Sequence, residues 1–181
     1  MQTQEQVILV DALDNEMGSM EKMEAHRKAV LHRAFSVFVF NKNGDVLMQQ
    51  RAFSKYHSGG LWTNTCCSHP RPGELVLDAA HRRLQEEMGF NTTLTKAFDF
   101  TYKADFENGL TEHEFDHVFT GIYDGLIHFN TDEVAAYAFI PAQDLEQQIQ
   151  KTPERFTAWF HIAYPKLKTW MVTTQNTFHA G

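Results

Sequence analysis

The sequence lacks the features that mark secreted, membrane-spanning and disulfide-rich proteins. Its two cysteines, Cys66 and Cys67, are adjacent, which is neither a disulfide framework nor the CxxC spacing of zinc and redox sites. The apolar runs, such as residues 35–40, which Ser36 interrupts, are too short to cross a membrane. The N-terminal residues are acidic and do not resemble a signal peptide. We therefore expect a cytoplasmic protein with free thiols and no membrane association.

Basic charge is also scarce. The chain has 16 lysines and arginines against 23 aspartates and glutamates, a net charge of −7. A nucleic-acid-binding protein needs a basic stripe, and none is visible. The basic residues near the predicted site are Lys22, Arg51, Lys55, Arg71, Arg82 and Arg83. A locally basic pocket on an acidic protein favours a small anionic ligand.

The hydrophobic pattern predicts an α+β fold with a mixed sheet in one domain of 181 residues, with a core over about residues 30–165. Strands are predicted at residues 7–10, 35–40, 46–51, 61–65, 98–104, 111–123 and 134–140. Helices are predicted at residues 75–88, 142–150 and 154–174. Pro165 should kink or split the last helix.

Residues 61–89 contain most of the candidate chemistry. A predicted strand leads into a polar turn that holds Cys67 and His69, and a loop with proline and glycine follows. The predicted helix after this loop ends in Glu86 and Glu87. Adjacent carboxylates at this end lie at the negative end of the helix dipole, so arginines or a divalent cation should compensate them.

The spacing of these carboxylates resembles the Nudix box. Glu74 takes the position of the first glutamate of the box, and Glu86 and Glu87 take the positions of its glutamate pair. Two positions depart from the pattern, because Ser68 replaces a glycine and Arg83 replaces a glutamate. In Nudix hydrolases that glutamate helps to bind the metal, so its loss argues against ordinary diphosphate hydrolysis.

A longer match resembles one family in particular, the type I isopentenyl-diphosphate delta-isomerases. It runs in order through LHRAFSVFVFN, RAFSKYHSGGLWTNTCCSHPRPGE, RRLQEEMG and NGLTEHEFDHVF, over about residues 20–123. The resemblance implies a Nudix-like mixed β-sheet sandwiched by helices. It also implies that the protein moves the double bond of isopentenyl diphosphate to give dimethylallyl diphosphate.

The same resemblance implies roles for residues on both sides of the substrate. Cys67 and Glu114 would transfer the protons, Tyr102 would assist Glu114, and Trp159 would face the cationic intermediate. Glu87 would hold a Mg²⁺ ion that bridges to the diphosphate near Cys67. The diphosphate oxygens would be bound by Lys22, Arg51, Lys55 and Arg83.

A second metal site is implied by three imidazoles and two carboxylates, which are those of His26, His32, His69, Glu112 and Glu114. Such a set suits six-coordinate Mn²⁺ or Mg²⁺ better than a tetrahedral structural Zn²⁺, which remains a further candidate. Glu112 and Glu114 lie two apart on a strand and so face the same side. On a straight helix His26 and His32 would diverge by about 120°, so the segment between them must be non-helical if both bind one ion.

Two other interpretations share this fold. One is a Nudix hydrolase of a nucleoside diphosphate derivative, which would not need Cys67. The other is a non-catalytic metal-binding module, which would need neither Cys67 nor Glu114. The isomerase interpretation predicts a small allylic or homoallylic diphosphate as partner and a monomer or weak dimer. The remaining histidines are assigned no role: His57, His81, His113, His117, His128, His161 and His179.

Overall fold

The structure is a computed structural model that describes residues 5–55, 57–106 and 108–178. The strands in these residues are β1 Gln6–Val10, β2 Glu16–Glu21, β3 His32–Phe40, β4 Val46–Arg51, β5 Trp62–Thr63, β6 Cys66–Ser68, β7 Thr95–Asp105, β8 Thr111–Ile122 and β9 Val134–Ile140. The helices are α1 Lys22–Lys28, α2 Val76–Met88, α3 Ala142–Lys151 and α4 Ala158–Phe178. None of the helices described is long and apolar enough to cross a membrane.

Strand β3 is the centre of a mixed sheet. It runs parallel to β8 along its whole length and antiparallel to β6. Its hairpin partner β4 pairs with it only between Phe40 and Val46, and then diverges to pair with β5 and β9. Both kinds of pairing occur in one sheet, which confirms the predicted α+β class.

The two faces of β3 pack against different helices because side chains alternate along a strand. Phe35 and Val37 lie in the apolar cluster that includes Leu84 of α2. On the other face Phe38 packs in the cluster that includes Phe160 of α4. Closer to the start of β3, this second face carries polar side chains in place of apolar ones, and it becomes the floor of a cleft.

The chain between the first two predicted metal ligands is not a continuous helix, as the metal hypothesis required. His26 lies in α1, and the helix ends at Lys28. Ala29 then adopts a left-handed conformation with φ of 52°, which turns the chain back toward the sheet. His32 is the first residue of β3, and its ring centroid lies 5.1 Å from that of His26.

The structure corrects the predicted turn around Cys67. Residues Cys66–Ser68 form strand β6, which pairs with β3. The polar residues just before it, at the end of the predicted strand 61–65, are buried and bind backbone groups. The side chain of Asn64 donates to the carbonyl of Val37, and the hydroxyl of Thr65 donates to that of Leu47. These polar side chains therefore join neighbouring strands.

Two further predictions need correction. Strand β2 was missed, because its sequence EMGSME is polar and it pairs only with β1 at the sheet edge. Pro165 does not split the last helix, because α4 is continuous from Ala158 to Phe178. Proline removes one backbone donor, and the packing of Phe160 and Leu167 around it keeps the helix in place.

Gly89 ends helix α2 and generates a testable prediction. Its φ is +72°, and a Cβ there would lie 2.1 Å from the carbonyl oxygen of His128. We expect Gly89→Ala to lower the free energy of unfolding by more than the roughly 1–2 kcal/mol that a left-handed alanine costs alone. Urea unfolding followed by circular dichroism measures the loss. Gly73→Ala is the matched control, because Gly73 has φ of +78° with nothing within 4 Å. Equal losses in the two variants would contradict this account.

Candidate active site

The strand register brings the predicted site residues to one face of the sheet. His32 of β3 pairs with Glu114 of β8, and Glu114 also pairs with Tyr102 of β7. On the opposite side of β3, Ser36 pairs with Cys67. Paired residues point to the same face, so these side chains share the polar half of that face.

A cleft of about 760 Å³ opens over this polar face. All but one of the predicted site residues line it, and they are Lys22, His26, Arg51, Lys55, Cys67, His69, Arg83, Glu87, Tyr102, Glu112, Glu114 and Trp159. The exception, His32, lies fully buried beside Glu114. A volume of this size is typical of pockets for small ligands.

Four buried side chains form a compact group of possible metal ligands: His26, His32, His69 and Glu114. One ligand atom from each lies within 4.8 Å of all the others. The Oε1 atom of Glu114 is 2.9 Å from Nε2 of His69 and 3.6 Å from Nε2 of His32. Nδ1 of His32 contacts the carbonyl of Val30 at 2.8 Å, which orients the ring with Nε2 toward the carboxylate.

These residues fit a divalent metal ion. Within the described part of the chain, Nε2 of His26, Nε2 of His32 and Nδ1 of His69 are buried and have no hydrogen-bond partner. A buried nitrogen without a partner is costly, and a metal ion would satisfy it. Burial, together with the neighbouring His69 and His32, lowers the pKa of His26 to about 3. The imidazole is therefore neutral, which is the form that binds metals.

The carboxylates of Glu112 and Glu114 share one tyrosine. The hydroxyl of Tyr102 lies 3.0 Å from Oε2 of Glu112 and 2.7 Å from Oε2 of Glu114. Burial and the charge of Glu114 raise the pKa of Glu112. Burial alone would raise the pKa of Glu114 too, but His69 and His32 lower it well below its usual value. Glu112 is outside the four-residue group, and its predicted role as a ligand stays a prediction.

Cys67 lies on β6 at the edge of the cleft. Burial raises the pKa of its thiol, and the nearby carboxylates of Glu87, Glu112 and Glu114 add to the rise despite the opposing charge of Arg51. The thiol is therefore protonated at neutral pH. Its neighbour Cys66 points to the other face, into the apolar cluster against α2. Both cysteines are free.

The other end of the cleft is rich in charged groups. Arg83 donates to Glu87 at 2.6 Å, and Gln49 donates to the second oxygen of Glu87 at 2.9 Å. Lys55 forms an ion pair with Glu133, whose carboxylate also lies 3.3 Å from Arg83. Lysine, arginine and a buried glutamate therefore lie close together at this end of the cleft.

Sequence reasoning missed several residues of the cleft, among them Glu133 and His57. Glu133 comes just before β9 and had no motif to reveal it. His57 was assigned no role, yet it lines the cleft, and its Nε2 lies 3.7 Å from Oε1 of Glu112. Its position two residues after Lys55, ahead of Gly59 and Gly60, was the available signal, because such a loop can bring a side chain over a ligand.

The class of protein follows from a family model and from solved structures of similar fold. The NUDIX domain family model matches residues 30–160. A crystal structure of a Deinococcus radiodurans protein superimposes with a TM-score of 0.68 at 19% identity, covering 81% of this chain and 89% of that one. A MutT protein from Methanosarcina mazei superimposes with a TM-score of 0.62 at 16% identity, covering 77% and 94%. The fold is therefore that of the Nudix domain.

Relatives with higher sequence identity assign the chain to one family within the Nudix class. An isopentenyl-diphosphate Delta-isomerase of Pectobacterium atrosepticum is 51% identical over 162 residues, which cover 90% of each chain. The enzyme of the same name from Serratia proteamaculans is 51% identical over 156 residues, covering 86% of this chain and 87% of its own. The chain belongs to the isopentenyl-diphosphate Delta-isomerase family of Nudix proteins.

The four-residue group predicts binding of one metal ion. We expect Mn²⁺ to raise the melting temperature of the metal-free protein, since a ligand at 100 times its Kd adds about 2.7 kcal/mol. His69→Ala should abolish the rise and the bound manganese measured by elemental analysis. His81→Ala, at an exposed imidazole that contacts Asn91, should keep both. Manganese retained at wild-type stoichiometry by His69→Ala would contradict the assignment.

Proposed function

We propose that the protein interconverts isopentenyl diphosphate and dimethylallyl diphosphate by a 1,3-allylic proton shift, in the synthesis of isoprenoid precursors. One observation supports this most. The cleft presents a neutral thiol, Cys67, together with an ionised carboxylate, Glu114, that is bonded to Tyr102. A double-bond shift needs one group that gives a proton and another that accepts one.

The chemistry explains why Glu114 is buried and Cys67 is half-buried. An alkene is a very weak base, so the acid must be close, correctly oriented and shielded from competing water. Cys67 and Glu114 exchange roles between the two directions, since the reaction is reversible. The hydroxyl of Tyr102 holds the carboxylate in place and carries a proton at 2.7 Å from it. This arrangement moves protons at both ends of the allylic system.

The proposed ligands of the buried metal are His26, His32, His69, Glu112 and Glu114. Mn²⁺ or Mg²⁺ is the proposed ion, with Zn²⁺ as the further candidate. When bound, such an ion withdraws electron density from the carboxyl group of Glu114 and strengthens it as an acid. The three imidazoles fix the position of Glu114.

The diphosphate is proposed to bind at the charged end of the cleft. Its ligands would be Lys22, Arg51, Lys55 and Arg83, which all line the cavity. Glu87 would hold the Mg²⁺ ion that neutralises the remaining phosphate charge, near Cys67. The charged groups and the proton-transfer groups lie in one cleft. A diphosphate bound at the charged end would therefore extend its five-carbon chain toward Cys67 and Glu114.

Trp159 is proposed to stabilise the cationic intermediate. The indole is 4% exposed and lines the cleft, and the guanidinium of Arg51 lies 5.1 Å from its ring centroid. An aromatic face attracts a nearby cation, and a closed aromatic wall excludes water. Both effects favour proton loss over capture of the intermediate by water.

Hydrolysis of a nucleoside diphosphate derivative is the weaker alternative. Arg83, which replaces a glutamate of the box, donates to Glu86 at 2.7 Å and to Glu87 at 2.6 Å. A cation therefore stands among the carboxylates that a hydrolase uses for its metals. The non-catalytic alternative does not account for the presence of both Cys67 and the buried Glu114 in one cleft. We also propose a cytoplasmic monomer or weak dimer, since both thiols are free.

Incubation with isopentenyl diphosphate and Mg²⁺ in deuterated water tests the reaction. We expect dimethylallyl diphosphate to form and deuterium to appear in both five-carbon diphosphates, because each proton transfer exchanges with solvent. Nuclear magnetic resonance and mass spectrometry measure the two. Release of phosphate without allylic product would favour the hydrolase, and neither product would leave only the non-catalytic interpretation.

Substitution of the proton-transfer groups tests their roles. Cys67→Ala and Glu114→Gln should each lower kcat by at least about 10²-fold, the lower bound for losing a general acid or base. Cys66→Val is the matched control, because Cys66 lies in the apolar core and valine suits a strand. Circular dichroism checks folding. Near-wild-type turnover in Cys67→Ala or Glu114→Gln would overturn the assignment.

A further inference from the structure

His57 has no role in the reaction as described so far, yet its side chain is buried in the cleft. The ring stacks on Phe106 with centroids 5.0 Å apart at 27°. It meets Trp159 edge-on, with centroids 5.8 Å apart at 89°. The side chain is only 7% exposed. His57 and Trp159 therefore form an aromatic wall of the cleft, and Phe106 packs against His57.

The two nitrogens of His57 have separate partners. Nδ1 lies 3.2 Å from the hydroxyl of Ser58, and Nε2 lies 3.7 Å from Oε1 of Glu112. The second distance is too long for a hydrogen bond, and it suits a contact through a bridging water. The other oxygen of Glu112 faces Tyr102 at 3.0 Å. Glu112 is thus held between Tyr102 and His57.

The loop that carries His57 also carries two of the proposed diphosphate ligands. Arg51 is at its start and donates to the carbonyl oxygen of His57 at 3.3 Å. Lys55 is two residues before His57 and pairs with Glu133. Arg51 also lies over the indole of Trp159. The backbone position of His57 is therefore tied to residues at the diphosphate end of the cleft.

From these contacts we propose that His57 is a positioning residue, which holds Glu112 and the indole of Trp159 in place and closes the cleft to water. The proposal rests on the isomerase function. It assigns His57 no proton transfer to the substrate. Its effect is exerted through Glu112, beside the proton-transfer carboxylate, and through Trp159, beside the cationic intermediate.

If His57 closes the cleft to water, its loss should give a characteristic side product. Protonation of the terminal carbon of isopentenyl diphosphate leaves a cation at the tertiary carbon. Proton loss then gives dimethylallyl diphosphate. If water reaches that carbon, its oxygen forms the new bond and it releases a proton, which gives a tertiary alcohol diphosphate. The net change is addition of one water without redox chemistry, so ¹⁸O from labelled water marks the alcohol.

The test compares His57→Ala, His57→Phe and wild type in ¹⁸O-labelled water. We expect His57→Ala to lower kcat, by up to about 10²-fold for misplaced groups, to change KM less than about 3-fold, and to form ¹⁸O-labelled alcohol. His57→Phe should restore the wall and suppress the alcohol while kcat stays reduced, because it lacks the contact to Glu112. Lys55→Ala provides the contrast, with a raised KM and no alcohol. His81→Ala should behave as wild type.

The outcomes separate this proposal from the function on which it rests. No allylic product from wild type would refute the isomerase function itself. Isomerisation by wild type, with unchanged kcat and no alcohol in a folded His57→Ala, would overturn the role of His57 alone. A reduced kcat without alcohol, equal in His57→Ala and His57→Phe, would also overturn the closing role. Circular dichroism and manganese content exclude loss of fold or metal as the cause.

Discussion

The whole site depends on a buried carboxylate surrounded by imidazoles. Glu114 lies at 7% exposure on a central strand, and a charge in such a place is tolerated only when other groups compensate it. His32 and His69 do so at 3.6 and 2.9 Å, and His26 completes the group. These ligands come from three separate parts of the chain. The parallel pairing of β3 with β8 and the turn after α1 have to be in place before the group can form.

The sequence predicted the parts of the site that a motif with fixed spacing specifies. Cys67, His69, Glu86 and Glu87 stood out in residues 61–89 by their close grouping. The resemblance to the isomerase family then implied their roles and those of Glu112 and Glu114, which share one face because side chains alternate along β8. What a local pattern could not predict was where distant segments meet. Glu133 reaches the cleft from the start of β9 through a tertiary contact with Lys55, which no spacing encodes.

The errors have the same physical origin. A polar turn was predicted around Cys67 and His69, but the chain forms strand β6 there. Asn64 and Thr65 before it are buried, although polar side chains are usually exposed, and they satisfy backbone groups of neighbouring strands. His57 was assigned no role, since most histidines are not ligands and no motif singled it out. In each case the partner is far away in the sequence, and only the folded chain shows it.

The Nudix fold itself does not decide the chemistry. Solved structures with TM-scores of 0.68 and 0.62 share less than 20% identity with this chain, so they establish the architecture alone. The difference lies in a few side chains on a common frame. Arg83 stands where a hydrolase has a metal-binding glutamate, and a thiol and a tyrosine-bound carboxylate line the cleft. These side chains thus give a metal-binding fold the groups that are suited to moving protons on a hydrocarbon chain.

The central claim is that one metal ion joins these segments around Glu114. Anomalous diffraction at the manganese absorption edge, from crystals of the isomerisation-active protein grown with Mn²⁺, tests it most directly. The account predicts one strong peak enclosed by His26, His32, His69 and Glu114, with Glu112 beside it. An active protein with no peak at that position, or with manganese bound only elsewhere, would contradict it.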